Sequence, residues 1–336
     1  MKAVVLRGCE RLVVEDWPRP SIDGGELLLR LRGCGLCGSD LLKIVGPGPR
    51  VPAVLGHELV GDVVEIGPDV GAFSPGDRVV AAHHVPCGRC HYCRRGSESM
   101  CRTFKTSNLD PGGFAEYVRV PADNVRHATF RIPPHLSDEA ASFVEPLACC
   151  LRAARRAPIG AHDTVVVIGL GSIGCLFVQL ARRAGAAVLG VDPLAERAAL
   201  AKRLGADVSG GMERSGAAVA ELSGGRGADQ VIVTGGGADV LPWAVEQVRD
   251  GGTIHYFAGG GGDRLPVALA TLYHRELTIT TTYSSSPVDL AEAFRLVTAG
   301  DVAVDALISH RVTLDALPDA VALARRRAAL KVFVTP

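Results

Sequence analysis

The sequence predicts an α/β protein whose doubly wound parallel sheet, at about residues 164–283, is flanked by mainly β segments. The first observation is the stretch TVVVIGLGSIGCLFVQLARRAGAAVLGVD at 164–192, which has the pattern of strand, glycine turn, helix and second strand. The second is the continued alternation of strands and helices through QVIVTGG, GGTIHYFA and ELTITTTY. The third is the different pattern outside this region, where short apolar runs alternate with turn residues.

The glycine turn GLGSIG predicts a dinucleotide site. Gly169 permits a tight turn after the strand, Gly171 has no side chain to hold a pyrophosphate away, and Gly174 lets the helix pack closely on the sheet. The helix then begins with backbone N–H groups and a positive dipole end directed at the phosphates. The predicted cofactor-binding residues are Gly169, Gly171, Ser172, Ile173, Gly174, Asp192, Arg197, Thr234 and Ala258.

Asp192 favours NAD over NADP. It ends the second strand, where its carboxylate can accept both ribose hydroxyls and would repel a 2′-phosphate. Arg197 either lies over the adenosine or is a solvated helix arginine. The glycine runs at 235–237 and 259–262 follow strand ends, so they either line the ligand crevice or are plain loops.

The composition predicts a folded protein of two domains without a nucleic-acid or membrane partner. The 336 residues are 47% apolar and 21% charged, and Lys plus Arg equals Asp plus Glu at 36 each. The start, MKAVVLRGCERLVVEDW, lacks a basic leader followed by an apolar run, which predicts a cytoplasmic protein. Without a secretion signal, the ten cysteines favour metal binding over disulfides.

Two segments of the N-terminal part bring together residues that zinc prefers. Hairpins are expected over residues 1–30, and GCGLCGSDLLKI then places Cys37, Ser39 and Asp40 on a loop entering a helix. The next segment, VLGHELVGDVVEIG, places His57 and Glu58 ahead of a strand. Spacing alone does not show that these segments converge, and a single histidine is more often a hydrogen-bonded structural residue.

A cysteine cluster gives a more specific signal. The segment PCGRCHYCRRGSESMC supplies four thiolates, enough to close a tetrahedral zinc site with no position left for water. An iron–sulfur cluster or four free thiols are the alternatives, and zinc is favoured because nothing else in the chain suggests electron relay. The predicted structural zinc ligands are Cys87, Cys90, Cys93 and Cys101.

A glutamate in an apolar helical segment is the last candidate. SDEAASFVEPLACCLRAARRA is predicted to be a helix with Ser137 as N-cap and an interruption at Pro146. Glu145 lies at this interruption among apolar neighbours. Because burial of an unpaired carboxylate is unfavourable, Glu145 is either exposed at a kink or bound to a metal.

Over essentially its whole length the chain resembles the zinc-dependent medium-chain alcohol and polyol dehydrogenases. The motifs GHELVGDVVEIGPDV, CGLCGSD and the cysteine cluster carry the resemblance, and FVEPLACC resembles the sorbitol dehydrogenase branch. The resemblance implies a Rossmann domain at 151–283 and a mainly β, GroES-like catalytic domain with a structural zinc lobe at 1–150 and 284–336. It implies catalytic zinc held by Cys37, His57 and Glu145, with Glu58 nearby as an exchanging or supporting carboxylate. Asp40 would then orient His57.

The implied reaction is the NAD- and zinc-dependent oxidation of a secondary alcohol (a polyol, sugar, cyclitol or amino alcohol) to the ketone, by a homodimer or homotetramer with two zinc ions per chain. Ser39 would receive the hydroxyl proton, and Leu42 occupies a position where the family often has a histidine for proton release. The implied catalytic residues are Cys37, Ser39, His57, Glu58 and Glu145. The alternatives are a threonine-type amino-alcohol dehydrogenase, a zinc-free quinone reductase and a non-catalytic dinucleotide sensor.

Overall fold

The structure, a computed structural model, describes residues 1–46, 48–259 and 264–336. The chain divides into two units, one made of Met1–Ala148 with Ser284–Pro336 and the other of Cys149–Tyr283. The family resemblance implied a catalytic domain at 1–150 and 284–336 and a Rossmann domain at 151–283. Most of the glycine run at 259–262 lies outside the described residues.

The strands follow one another in the order expected from the apolar runs. They are β1 (Lys2–Gly8), β2 (Arg11–Asp16), β3 (Leu27–Leu36), β4 (Ala53–Val54), β5 (Glu58–Ile66), β6 (Arg78–Ala81), β7 (Tyr117–Val120), β8 (Thr129–Arg131), β9 (Thr164–Ile168), β10 (Ala187–Val191), β11 (Val208–Gly210), β12 (Ala228–Val233), β13 (Val248–Tyr256), β14 (Thr278–Thr281), β15 (His310–Thr313) and β16 (Val332–Thr335).

The helices of the described residues range from four to thirteen residues in length. They are α1 (Gly38–Val45), α2 (His91–Arg94), α3 (Arg102–Thr106), α4 (Ala122–Ala128), α5 (Asp138–Ser142), α6 (Val144–Arg156), α7 (Ser172–Arg183), α8 (Ala195–Arg203), α9 (Met212–Ser223), α10 (Leu241–Gln247), α11 (Leu269–His274), α12 (Pro287–Thr298) and α13 (Leu317–Arg325).

The first unit is built on two sheets. The larger has the order β15-β16-β3-β5-β6-β8, with β7 also paired to β3, and its pairs are antiparallel except β15 with β16. The smaller has the order β2-β1-β4, and its antiparallel β1–β2 pair confirms the predicted hairpin. Buried apolar residues of these sheets, such as Leu29, Leu59 and Val334, form one core. The long strand β3 thereby fixes the residues that follow it, where α1 begins.

The second unit is the predicted doubly wound sheet. Its six strands pair only in parallel, in the order β11-β10-β9-β12-β13-β14. All five residues of β9 are buried, as expected of a central strand covered on both faces. The strand order reverses at β9, and the crevice at the carboxyl end of such a point is where doubly wound sheets bind their ligands.

The helix around Glu145 differs in detail from the prediction. Ser137 caps α5 as predicted, since its hydroxyl accepts a hydrogen bond from the Ala140 amide at 3.0 Å. The break lies at Phe143 rather than Pro146. Pro146 occupies the first turn of α6, where proline is tolerated because the amides there have no helical acceptor.

Among the described residues, no helix is both long and apolar enough to cross a bilayer. The cytoplasmic location stays a prediction.

Candidate functional site

The N-terminus of α1 holds the first group of predicted site residues. Cys37 is the N-cap, and its sulfur accepts a hydrogen bond from the Ser39 amide at 3.5 Å. Asp40 completes a capping box, since its Oδ2 accepts from the Cys37 amide at 3.1 Å. The cap therefore fixes the positions of the thiol and of the neighbouring Ser39 side chain.

Asp40 also connects this helix to His57. The Asp40 side chain is fully buried, and its Oδ1 lies 3.3 Å from His57 Nδ1. Burial alone would raise the pKa of Asp40, but His57 holds it below its usual value. Because Nδ1 faces the carboxylate, Nε2 is directed to the other side, 3.5 Å from Ser39 Oγ. The contact is compatible with the orienting role that the family resemblance implied for Asp40.

Cys37, His57 and Glu58 converge on one point. Their possible ligand atoms all lie within 4.8 Å of one another, and among the described residues this group and the cysteine cluster are the two arrangements that could hold a metal. A thiol, an imidazole and a carboxylate are the donors zinc prefers, so the residues fit that ion. The third residue of this group is therefore Glu58, whereas the resemblance implied Glu145 as the third zinc ligand.

A buried lysine compensates the charge of Glu58. Lys331 Nζ lies 2.7 Å from each carboxylate oxygen, and both side chains are almost completely buried. An added Cβ at Gly35 would lie 1.8 Å from Glu58 Oε2, so a side chain at this position would displace the carboxylate. Lys331 was not among the residues predicted from the sequence. Its only signal was a lysine at the start of the apolar final strand, KVFVTP.

Glu145 is buried, which excludes the predicted alternative of an exposed kink. It lies in the first turn of α6 with 5% of its surface exposed. Its Oε1 is 3.9 Å from Nδ1 of His83, and the His83 ring lies 4.6 Å from that of His57 between centroids. Glu145 therefore borders the Cys37–His57–Glu58 group without belonging to its tightest part. His83 was also missed, although a histidine pair directly after an apolar strand is visible in VVAAHHVPC.

The four predicted structural ligands also come together. The sulfur atoms of Cys87, Cys90, Cys93 and Cys101 lie within 4.8 Å of one another, and all four cysteines are free of disulfides. Cys90 and Cys93 are 3.5 Å apart between sulfurs. Tetrahedral zinc with Zn–S bonds of about 2.3 Å places sulfur atoms about 3.8 Å apart, so the cluster fits the ion.

The glycine turn of the second unit has the geometry of a phosphate-binding loop. Gly169 adopts a φ of +86°, which favours glycine, and an added Cβ at Gly174 would lie 1.9 Å from the Gly169 carbonyl oxygen. An added Cβ at Gly171 would meet no atom within 4 Å, so open space remains beside the start of α7. Thr234 Oγ1 donates to the Gly169 carbonyl at 2.6 Å and braces the turn.

Asp192 has a bracing role that the sequence did not indicate. It follows β10, and its two oxygens accept from the amides of Leu170 at 2.8 Å and Leu194 at 2.9 Å. Each carboxylate oxygen can accept a further hydrogen bond, so these contacts are compatible with ribose binding. Four predicted cofactor residues remain. Ser172 and Ile173 are the first two residues of α7, and Arg197 on α8 and Ala258 after β13 are both half-buried.

Comparisons with known proteins agree with both units. Residues 23–132 match the alcohol dehydrogenase GroES-like domain, and residues 172–299 match the zinc-binding dehydrogenase family. The chain is 30% identical to the erythritol/L-threitol dehydrogenase of Mycolicibacterium smegmatis, covering 94% of this chain and 91% of that protein. It belongs to the zinc-binding medium-chain alcohol and polyol dehydrogenases.

Two further relatives extend the comparison within this family. The sorbitol dehydrogenase of Halalkalibacterium halodurans is 29% identical, over 100% of this chain and 99% of the relative. A solved zinc-binding dehydrogenase from Sinorhizobium meliloti 1021, bound to NADP, is 33% identical with a TM-score of 0.89 and covers 100% and 99% of the two chains. Membership confirms the predicted family and its Rossmann and GroES-like folds.

Proposed function

We propose that this dehydrogenase oxidises a secondary alcohol of a polyol-like substrate to the ketone with NAD as hydride acceptor. The observation that carries the proposal is the convergence of Cys37, His57 and Glu58 within 4.8 Å, with Ser39 Oγ 3.5 Å from His57 Nε2. This arrangement places a neutral hydroxyl directly beside metal-binding side chains. It therefore combines a metal centre with a first acceptor for the substrate proton.

Cys37, His57 and Glu145 are the proposed ligands of the catalytic zinc, with Glu58 as a carboxylate that supports or exchanges with them. Bound zinc would supply Lewis-acid polarisation of the substrate hydroxyl. Asp40 holds His57 by Nδ1 and leaves Nε2 on the side of Ser39, and Lys331 keeps the Glu58 carboxylate compensated when it is not coordinated. The second proposed zinc is structural and is bound by the cysteine cluster.

Ser39 is the proposed acceptor of the hydroxyl proton. Its hydroxyl can accept that hydrogen bond and donate another onward, so the transfer needs no charged base at the metal. Leu42, which is 43% exposed on α1, cannot continue the relay because an alkyl side chain neither accepts nor donates. Water near Lys43 is the proposed exit.

NAD is the proposed cofactor because Asp192 offers a carboxylate where a 2′-phosphate would otherwise bind. The open space at Gly171 and the amides at the start of α7 suit the pyrophosphate. The NADP bound to the Sinorhizobium relative makes cofactor choice a necessary part of the test.

A substrate panel tests the proposed function directly. NADH and NADPH formation are measured with sorbitol, erythritol, cyclitols, threonine and simple secondary alcohols, because relatives of this chain are named sorbitol and erythritol/L-threitol dehydrogenases. We expect the highest kcat/KM with NAD and a polyol-like alcohol, abolished by Cys37→Ser. Activity that prefers threonine supports the amino-alcohol alternative, and quinone reduction that survives Cys37→Ser contradicts the proposal.

We also propose a homodimer or homotetramer. Strand β14 ends the parallel sheet, and the preceding helix α11 exposes Leu269 and Tyr273 to 79% each in the single chain. Large exposed apolar side chains beside an edge strand are typical of a surface covered by another copy. Light scattering of the purified protein tests this, and a monomer at micromolar concentration contradicts it.

A further inference from the structure

His83 is a buried histidine that the proposed reaction does not yet use. It follows β6, and only 9% of its surface is exposed. Its ring lies between those of His57, at 4.6 Å between centroids, and His84, at 3.9 Å. Its Nδ1 is buried and has no hydrogen-bond partner among the described residues. A buried polar atom of this kind is unfavourable unless another state of the site satisfies it.

The carboxylate of Glu145 lies close to this nitrogen. Glu145 Oε1 lies 3.9 Å from His83 Nδ1, about an ångström beyond an ordinary hydrogen bond. A carboxylate has two oxygens, so one can bind a cation while the other accepts a hydrogen bond. A small rotation of the Glu145 side chain would bring the second oxygen into reach of Nδ1.

The imidazole ring of His83 can present an N–H at Nδ1 to the Glu145 carboxylate. The adjacent His84 is occupied elsewhere, since its Nδ1 lies 2.6 Å from the Ser107 carbonyl oxygen. His83 is therefore the ring available to Glu145.

We propose that His83 is a positioning residue for Glu145. The Nδ1–H of His83 donates a hydrogen bond to the Glu145 carboxylate oxygen that does not bind the catalytic zinc. The inference rests on the proposed function in one respect, namely that Glu145 is a zinc ligand. Hydrogen bonds to ligating carboxylates fix their orientation, and removing such partners typically weakens metal affinity by about 10- to 100-fold. His83 thus contributes to zinc retention without touching the substrate.

Zinc affinity measured by chelator competition tests this role. His83→Phe keeps a ring but removes the donor, whereas His83→Asn keeps an N–H close to the Nδ1 position. We expect His83→Phe to weaken the catalytic zinc by about 10- to 100-fold and His83→Asn to retain most of the affinity. His84→Phe is the matched control and should leave the affinity unchanged, as should the cysteine-cluster zinc in every variant.

A double-mutant cycle with Glu145→Gln separates positioning from direct ligation. If His83 acts through Glu145, His83→Phe should add little to the loss already caused by Glu145→Gln. Unchanged zinc affinity in folded His83→Phe, or full additivity with Glu145→Gln, overturns the inference alone. Absence of a Cys37-dependent zinc from the wild type overturns the proposed function as well. If His83→Phe does not fold, His83→Gln takes its place. The glutamine amide lies near the Nε2 position and so does not replace the Nδ1–H, and the same outcomes apply.

Discussion

Ser39 is the residue on which the proposed proton transfer depends. Ser39→Ala should lower kcat by about 100-fold or more, the range for losing a positioned acid–base group. The backbone N–H that donates to Cys37 is unaffected by this change, so the metal ligand should stay in place. The measurement is steady-state kinetics with deuterated alcohol, which identifies conditions where hydride transfer limits the rate. Ser39→Thr is the control, since it keeps a hydroxyl, and an unchanged kcat in Ser39→Ala under those conditions rules out the relay.

Asp192 is the residue that should decide cofactor choice. Asp192→Ser should narrow the preference for NAD over NADP by about 1–3 kcal/mol, because one charge-assisted bond is lost and one repulsion relieved. Its bonds to the Leu170 and Leu194 amides mean that the variant also loosens the turn. The ratio of kcat/KM for the two cofactors is therefore the informative quantity, since a general loss of activity cancels in it. Equal kcat/KM values with NAD and NADP in the wild type would contradict the assignment.

Removing Lys331 alone should be strongly destabilising, because the buried Glu58 carboxylate would be left unpaired. Lys331→Met leaves the Glu58 carboxylate without its cation and should lower the free energy of unfolding by about 3–5 kcal/mol. Adding Glu58→Gln should recover much of this loss, since the uncompensated charge is removed. Denaturant unfolding checks both variants.

Lys2→Met provides the surface control for this pair. It breaks the exposed Lys2–Asp315 contact of the same 2.7 Å length and should leave stability unchanged. Equal effects of the two lysine substitutions would contradict the role of burial.

At the scale of the element, two glycines at the start of α7 have different roles, one in cofactor binding and the other in folding. An added methyl at Gly171 meets open space, so Gly171→Ala should fold normally and weaken NADH binding by about tenfold or more, as expected for a group intruding on the pyrophosphate. At Gly174 the methyl would lie 1.9 Å from a backbone oxygen, so Gly174→Ala should lose about 3 kcal/mol or more of stability. Fluorescence titration and thermal unfolding distinguish the two variants. The reverse pattern would contradict the assigned turn.

The sequence predicted elements whose determinants are local. The parallel sheet followed from apolar runs, and Gly169 followed from a turn that needs a positive φ. The cap at Ser137 was predictable for the same reason. Pro146 misled the helix prediction because proline is compatible both with a break and with a first turn.

The candidate metal site was less predictable because it joins distant segments. Cys37 caps α1 and Glu145 lies on α6, and nothing in their spacing specifies that Cys37 lies beside His57 and Glu145 beside His83. The family resemblance supplied that information. Lys331 and His83 stayed hidden because a buried lysine or histidine has no periodic pattern of its own, and their partners are set by how β16 and β6 pair with other strands.

At the scale of the whole molecule, we propose one zinc centre for chemistry and another for structure. The cysteine cluster lies on a segment whose helices α2 and α3 are only four and five residues long, so metal binding should supply much of its stability. The Cys37 group instead lies on α1 and β5, which belong to a well-packed core. Loss of the two metals should therefore have different consequences.

The zinc content of the wild type, Cys37→Ser and Cys90→Ser, measured with activity and thermal stability, tests this division most directly. We expect two zinc ions per chain in the wild type, matching the two candidate groups, and one in each variant. Cys37→Ser should be folded and inactive, while Cys90→Ser should unfold at a lower temperature. A single zinc in well-folded, fully active wild-type enzyme, or full activity in Cys37→Ser, would contradict the account.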